Sequence, residues 1–289
     1  MASSDTRDAA LERCRRYLRG RIRRWRAAQL FLPAEPRDDL VAILAWHRVV
    51  REIAGGAAGF ERRRGLDELA SELENAAGGR ARSPAGIALS FAIRRNELPL
   101  DELRRPLSEW KREEHVATFE TREELAAHAR AVAVPEARLL LRTLGASDPH
   151  RDGLADALAV GMQLAAWLTS VQEDLRHGRL HVPIRELARQ GLSIVSLTSA
   201  GASGALARAI ASEVGWVRGY FARGWPLCRE LGPWRGRRLA FVLRWHAASL
   251  SALEAARYDV LNGAPPSGWL RLVACAGTSL ASTTPPRLV

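Results

Sequence analysis

The sequence has few cysteines, no long apolar run and almost no lysine, and the first two shortages each exclude a class of protein. Only Cys14, Cys228 and Cys275 occur among 289 residues, too few for the disulfide framework of a small secreted domain. No apolar stretch approaches the roughly 20 residues of a membrane-spanning helix, and residues 1–16 lack the apolar core of a secretory signal. We therefore expect a protein of the reducing cytoplasm.

The basic residues are almost all arginine. Lys111 is the one lysine among 43 basic residues, and the formal net charge is +11. Such a preference in a chain rich in alanine and glycine indicates a coding bias, so the charge alone does not identify a function. It does imply attraction to anions such as diphosphates, acidic lipid surfaces or nucleic acid.

An arginine-rich segment, residues 13–26, holds eight arginines in 14 residues. The simplest interpretation is a solvated helix face whose long side chains lie over its edges. Because Leu18, Ile22 and Trp25 supply an apolar face beside the charge, a peripheral contact with the inner face of a membrane, or with an acidic partner, is a second interpretation. Nucleic acid is not expected, since no zinc-finger spacing or other nucleic-acid-binding motif accompanies the arginines.

Apolar residues recur at steps of three and four along most of the chain, which is the pattern of amphipathic helices. Sustained alternation with a period of two, typical of strands, is absent, and no low-complexity linker divides the chain. The sequence therefore predicts one all-α domain over residues 1–280 and a tail at 281–289. After an N-terminal helix, the predicted helices are 38–54, 66–77, 84–95, 101–114, 121–143, 152–177, 203–230, 235–261 and 267–280.

The segment AILAWHRVVREIAGG, residues 42–56, predicts a buried helix that nevertheless carries charges. Arg48, Arg51, Glu52 and Gly55 lie on roughly one face of that helix. From the residues alone, three interpretations remain open: a salt bridge formed in packing, an anion-binding site, or the remains of another site.

The segment GMQLAAWLTSVQEDLRHGRLHVPIRELARQGLS begins at residue 161. Four of its residues stand four, three and four positions apart and therefore line one helix face: Gln163, Trp167, Ser170 and Asp174. Acidic groups near a helix C-terminus oppose the helix dipole, which indicates a partner for them. An amphipathic helix whose acidic end faces water is the alternative.

Five blocks of the sequence carry a family resemblance, and they occur in the expected order. The blocks are LFLPAEPRDDLVAILAWHR, LPLDELRRPLSEWKREE, FETREELAAHARAVAVPEARLLL, QEDLRHGRLHVPIRELARQGLS and LEAARYDVL. They resemble the squalene/phytoene synthase family, and most nearly its hopanoid-type squalene synthases. The resemblance implies a single-domain isoprenoid-synthase bundle of the class I terpenoid synthase type around a central cavity. It also implies an isoprenyl diphosphate substrate, held by magnesium ions between two aspartate-rich helices.

Both aspartate-rich motifs depart from the family pattern. Where the family has a cysteine, an arginine, two aspartates and a third aspartate, this chain has His47, Arg48, Arg51, Glu52 and Gly55. The two aspartates of the second motif correspond to Ser170 and Asp174. Magnesium prefers carboxylate and phosphate oxygens, and Arg51 would repel a cation. The resemblance therefore implies at most one Mg²⁺, on Glu52 and Asp174, and argues against the usual condensation of two prenyl groups.

Other landmarks of the family differ as well. The tyrosine and cysteine of the third block are His128 and Ala129 here, and the glycines of the following Val-Ala-Gly-x-Val-Gly run are Val134 and Ala137. A tyrosine expected after the second motif is His181. These changes reflect either drift in a dead site or a site rebuilt for a different ligand.

One hypothesis is a divergent prenyl-diphosphate transferase with weak or no magnesium dependence. Arg48, Arg51 and Arg179 would hold the diphosphate through bidentate, charge-assisted bonds. Asp174 or Glu173 would act as the catalytic base, and the acceptor would be an aromatic or other small molecule. The expected pocket residues are Trp46, His47, Glu52, Gln163, Trp167, Ser170 and Tyr258.

The other hypothesis is a relative without catalytic activity. Such a protein would be a partner or assembly factor of an active paralogue, or would bind a prenyl lipid without reacting it. The loss of acids from both motifs favours it directly. In either case we expect His47 to be a packed, hydrogen-bonded histidine and Tyr258 to be an anchor in the core.

Overall fold

The computed structural model describes residues 4–21, 36–56, 59–113, 118–198, 203–261, 275–279 and 282–285. Regular structure within these residues is helical, apart from one isolated parallel bridge between Thr118 and Leu180. The predicted all-α class is confirmed. Each helix in these ranges is too short or too polar to cross a membrane.

Twelve α-helices and a short 3₁₀ helix at Val195–Thr198 follow one another in the described residues between 4 and 255. The α-helices are α1 (Ser4–Arg21), α2 (Arg37–Ala54), α3 (Phe60–Ala77), α4 (Pro84–Asn96), α5 (Leu100–Glu113), α6 (Arg122–Thr143), α7 (Pro149–Thr169), α8 (Val171–Arg176), α9 (Ile184–Ala188), α10 (Ser203–Gly224), α11 (Leu227–Glu230) and α12 (Gly232–Ala255).

The chain forms two compact units. The first contains Met1–His115 and Val134–Asp152, and therefore α1 to α5, the C-terminal part of α6 and the first turn of α7. The second contains Val116–Ala133 and Gly153–Val289, and therefore the N-terminal part of α6, the rest of α7 and α8 to α12. A single domain over residues 1–280 stays a prediction.

In the first unit, α2 is the central helix, because it contacts α1, α3, α4 and α5. Ile43, Trp46 and Val50 recur along it at steps of three and four and are fully buried, and side chains of this size each contribute roughly 1.5–3 kcal/mol on burial. Helix α1 packs against α2 and α4 through its predicted apolar face, of which Leu18 is a buried member. The rest of the arginine-rich segment, from Ile22 onward, lies outside the described residues.

In the second unit, glycines bring α7 and α10 close together. A Cβ atom on Gly161 would lie 3.0 Å from the Tyr220 Cβ, and one on Gly224 would lie 2.5 Å from the Leu158 Cγ. Side chains larger than hydrogen would therefore push the two helices apart at these points. Helix α7 is held by this packing and ends at the segment with the second acidic motif.

The predicted helix 152–177 is wrong in one respect, since it is interrupted. Helix α7 ends at Thr169, Ser170 has φ −114° and ψ 12°, and α8 starts at Val171. The predicted helix 203–230 is likewise divided at Trp225 and Pro226. The predicted helix 267–280 lies largely outside the described residues, of which 275–279 are helical.

Candidate functional site

The C-terminal half of α2 carries buried polar atoms without hydrogen-bond partners. Trp46 and His47 are buried, whereas Arg48 and Arg51 are partly exposed. Within the described part of the chain, the Nε1 of Trp46, the Nε2 of His47 and the Nε of Arg48 have no hydrogen-bond partner. A buried polar atom without a partner costs about 1–3 kcal/mol. This turn of α2 therefore has unused hydrogen-bonding capacity.

His47 is neutral in the folded protein. Burial lowers the pKa of its imidazole to about 4, and the nearby carboxylate of Glu136 opposes this shift without cancelling it. A neutral ring can accept or donate a hydrogen bond, but it adds no positive charge for an anion. The positive charge of this turn comes from Arg48 and Arg51 alone.

Arg51 pairs with Glu136 of α6, which lies in the same unit although it is 85 positions away in the chain. The Glu136 side chain is 12% exposed and that of Arg51 is 37% exposed. Arg51 also occupies the last turn of α2, where the helix dipole favours a cation. Of the three interpretations left open for the charges of this helix, the salt bridge formed in packing is therefore present within this unit.

Both members of this pair depart from the family pattern. Arg51 stands where the resemblance places an aspartate, and Glu136 stands where the Val-Ala-Gly-x-Val-Gly run has its second valine. A cation has replaced an acid at one position, and an acid has replaced an apolar residue at the other. The second change offsets part of the first in charge, and the resulting Arg51–Glu136 pair is neutral.

Glu52, a predicted metal ligand, accepts a hydrogen bond from a tyrosine. The Tyr17 hydroxyl of α1 donates to the Glu52 Oε2 at 2.5 Å. A phenol hydroxyl that donates to a carboxylate forms a charge-assisted bond, which is shorter and stronger than a neutral one. A cation would have to compete with this bond for the Oε2.

At the second motif, Asp174 is buried and binds two side chains of its own unit. Its Oδ2 accepts a hydrogen bond from the Ser170 hydroxyl at 3.0 Å and lies 2.9 Å from the Nδ1 of His181. Because an ionised carboxylate only accepts hydrogen bonds, this contact places a proton on the Nδ1 of His181. Glu173, by contrast, is 57% exposed and lies within ion-pair distance of Arg176 and His177.

His181 belongs to a stack of four buried rings. Its ring centroid lies 4.3 Å from that of Trp167, with 1° between the planes. His128 stacks on Trp167 at 5.3 Å, and Phe119 stacks on His128 at 5.0 Å. His128 and His181 are the two positions at which the resemblance predicts tyrosine. The replacement of tyrosine by histidine at both positions was the feature of the sequence from which this stack could have been predicted.

The remaining predicted site residues differ in their surroundings. Arg179 is buried, and its backbone N–H donates to the Asp174 carbonyl at 2.9 Å. Gln163 is half-buried on α7. The prediction that Tyr258 anchors the core is wrong, because Tyr258 is half-buried in a turn after α12 with φ +59°. Its hydroxyl lies 3.4 Å from the Glu254 Oε1, and burial together with this carboxylate raises the pKa of the phenol.

The magnesium cluster implied by the resemblance does not fit these residues. Mg²⁺ demands near-octahedral oxygen coordination, usually from carboxylates, phosphates and water. Of the five positions at which the resemblance implies aspartate, Glu52 in the first unit and Asp174 in the second carry an acid. Both carboxylates already accept hydrogen bonds from protein groups. Whether a single ion binds there stays a prediction.

Comparison with known proteins places this arrangement in a family. Residues 18–271 match the Squalene/phytoene synthase family. The phytoene synthase of Rhodobacter capsulatus is 25% identical over 187 residues, which is 64% of this chain and 55% of that protein. The 15-cis-phytoene synthase of Synechocystis sp. is 23% identical over 270 residues, with 88% and 80% covered. The match to the Rhodobacter protein thus spans about half of that protein's length.

Solved structures show the same fold. The squalene synthase HpnC from Alicyclobacillus acidocaldarius superimposes with a TM-score of 0.79 at 28% identity, covering 89% of this chain and 97% of that chain. A dehydrosqualene synthase superimposes with a TM-score of 0.84 at 18% identity, covering 95% and 96%. Because the family match covers residues 18–271 and solved structures of similar proteins share the fold, this chain belongs to the squalene/phytoene synthase family.

Proposed function

We propose that the protein is a divergent transferase that uses a prenyl diphosphate, holds the diphosphate with arginines and depends weakly or not at all on magnesium. One observation carries the proposal: both surviving motif acids are bound by protein groups. Glu52 accepts from Tyr17, and Asp174 accepts from Ser170 and faces His181. Family membership supports the substrate class.

Arg48 and Arg51 are the diphosphate ligands in this proposal. They stand three residues apart on α2, so their side chains are neighbours on one helix face. The buried Nε of Arg48 has no hydrogen-bond partner within the described residues, and a guanidinium matches the oxygens of a phosphate in a bidentate geometry.

The proposed reaction breaks the carbon–oxygen bond of an allylic diphosphate. The diphosphate leaves with the electron pair, the carbocation forms a bond with an acceptor such as an aromatic small molecule, and the acceptor loses a proton. Of the two acids proposed as base, Asp174 is supported better, because it is buried and bonded to a titratable imidazole, whereas Glu173 is exposed and lies close to Arg176.

Pyrophosphate release tests the proposal. The purified protein is incubated with dimethylallyl, geranyl or farnesyl diphosphate, with and without candidate aromatic acceptors. We expect release in the wild type, a large loss in Arg48→Ala, and no loss in Arg64→Ala, which removes an exposed arginine of α3. The proposal fails if no diphosphate is cleaved and none raises the melting temperature.

A second candidate function is that of a relative without activity, which assists an active paralogue. The Arg51–Glu136 pair favours it, because it neutralises the cation that has replaced a motif acid. Co-purification with a family member that retains its aspartates tests this candidate. Stable association would support this second function over the transferase if, in addition, the wild type, Arg48→Ala and Arg64→Ala all release no pyrophosphate.

A further inference from the structure

The charges at the C-terminal half of α2 balance. Arg48 and Arg51 supply two positive charges, Glu52 and Glu136 supply two negative charges, and His47 is neutral. An anion that approaches this turn therefore meets an arginine that already has a carboxylate on it. The Glu136 Oε2 accepts a hydrogen bond from the Nη2 of Arg51, a contact that a phosphate oxygen would make in the same way.

We propose that Glu136 is a specificity-determining residue of this arginine site, and this inference rests on the proposed function. The Glu136 carboxylate binds the guanidinium of Arg51, so only an anion with enough charge to displace this carboxylate can bind Arg51. A carboxylate or a single phosphate on Arg51 gains little over Glu136, because Glu136 is tethered and therefore present at a high effective concentration. A diphosphate carries more charge and reaches a second arginine, so it displaces Glu136.

Two observations distinguish this role from that of an ordinary surface ion pair. Arg51 is 37% exposed, so a ligand can reach its guanidinium from solvent. Moreover, the Nε of Arg48 and the Nε2 of His47, on the same turn of α2, are buried and have no partner within the described residues. A self-contained ion pair leaves no such unpaired polar atoms around it, whereas an incomplete anion site does.

The chemistry of the pair also identifies the class of ligand. Arg48 and Arg51 stand three positions apart on one face of α2. Two guanidinium groups on one face suit a ligand with two linked phosphates better than a ligand with one. The preference is therefore for diphosphates over monophosphates and carboxylates. The size of this preference for diphosphates depends on Glu136, because without its carboxylate Arg51 could also bind anions of lower charge.

Calorimetric titration with inorganic pyrophosphate and with inorganic phosphate tests the inference. In Glu136→Gln we expect pyrophosphate to bind about tenfold more tightly than in the wild type, which corresponds to the low end for a hydrogen bond to a charged group. The affinity for phosphate should rise by a larger factor, because phosphate depends on Arg51 alone whereas pyrophosphate also reaches Arg48, so the preference for pyrophosphate over phosphate narrows. The double variant Arg51→Gln/Glu136→Gln should lose the gain.

The matched control is Glu102→Gln. Glu102 pairs with Arg138, and Arg138 lies two positions from Glu136 on α6 in the same unit. Glu102→Gln therefore changes the net charge by the same amount as Glu136→Gln, but it removes an ion-pair partner from a different arginine. If it tightens pyrophosphate binding as much as Glu136→Gln does, the effect is one of general charge and the inference is wrong. Glu136→Asp, which keeps the charge on a shorter side chain, guards against misfolding of the glutamine variant, and its affinity should lie in between.

The outcomes separate this inference from the proposed function. If the wild type binds pyrophosphate and Glu136→Gln binds it no more tightly, the specificity role is overturned and the arginine site stands. If the wild type, Glu136→Gln and Glu136→Asp are all folded by circular dichroism and none binds pyrophosphate, the arginine site itself is overturned.

Discussion

Replacing Asp174 with alanine should destabilise the second unit strongly. The buried carboxylate accepts from the Ser170 hydroxyl at 3.0 Å and from the Nδ1 of His181 at 2.9 Å. Alanine leaves both donors buried without this acceptor. A hydrogen bond to a charged group contributes about 1.5–3 kcal/mol, and the removal of ionised Asp174 also relieves some desolvation. We expect a loss of about 3 kcal/mol in the free energy of unfolding.

Urea denaturation, followed by tryptophan fluorescence and by far-ultraviolet circular dichroism, measures this loss. Trp167 stacks on His181, so its emission reports on the environment that Asp174 fixes. The control is Glu173→Ala, because Glu173 is adjacent in sequence but 57% exposed. Its removal should change the free energy of unfolding by no more than about 0.5 kcal/mol.

The comparison has a clear refuting result. If Asp174→Ala and Glu173→Ala shift the urea midpoint equally, the contacts of Asp174 do not stabilise the fold as described. Asp174→Asn, which keeps one carbonyl acceptor and loses the charge, should fall between the wild type and the alanine variant. A midpoint for Asp174→Asn above that of the wild type would also contradict the reasoning.

Three further predictions concern other buried groups. Arg62→Leu removes the cation from the buried Glu113 carboxylate and should cost about 3–5 kcal/mol in chemical denaturation. Burial lowers the pKa of His47 to about 4 in the folded protein, against about 6.5 for an exposed histidine, so the unfolded state binds the proton first and stability falls as the pH drops from about 6.5 to about 4. Between pH 7 and pH 5, the free energy of unfolding of His47→Phe should therefore fall by about 2 kcal/mol less than that of the wild type. Gly236→Ala should destabilise the protein severely or prevent folding, because its Cβ would lie 1.7 Å from the Cys228 carbonyl oxygen, and thermal unfolding measures the effect.

Each of these predictions has a control. The double variant Arg62→Leu/Glu113→Leu should recover most of the stability lost in Arg62→Leu, and a double variant no better than the single one would contradict the reasoning. If His47→Phe and the wild type show parallel pH dependence, His47 is not the neutral buried group described. Gly219→Ala, at a helical glycine with no neighbour within 4 Å, should be neutral or slightly stabilising.

The sequence predicted the bounds of a helix correctly where residues next to the helix end determine them. The predicted helix 84–95 matches α4, Pro84–Asn96, because Ser83 accepts a hydrogen bond from the Gly86 N–H and Pro84 occupies the first turn. The break at Ser170 had no such signal, since the apolar and polar residues keep their helical spacing through it. Tertiary contacts of Asp174 and His181, rather than local propensity, accompany that break.

Long-range pairing was the part of the site that the sequence could not predict. The departure at position 51 is visible in the sequence, but its partner Glu136 lies 85 residues away and only the fold brings the two together. The same holds for Tyr17 and Glu52. Sequence reasoning identified the altered positions of the family pattern and missed which of them contact one another in the fold.

The two histidines that replace tyrosines illustrate the same limit. His128 and His181 are 53 positions apart and meet in one stack with Trp167. As separate substitutions they indicated either drift or a rebuilt site. As neighbours they form part of a packed, hydrogen-bonded core, in which His181 and Asp174 fix each other.

The most direct test of the proposed function is pyrophosphate release from an allylic prenyl diphosphate, compared between excess chelator and excess magnesium. A site that holds diphosphate through Arg48 and Arg51 should give nearly equal rates in the two conditions. Release that appears only after magnesium is added would contradict this function, because a metal ion would then have to compete with the hydrogen bonds that Glu52 accepts from Tyr17 and Asp174 accepts from Ser170.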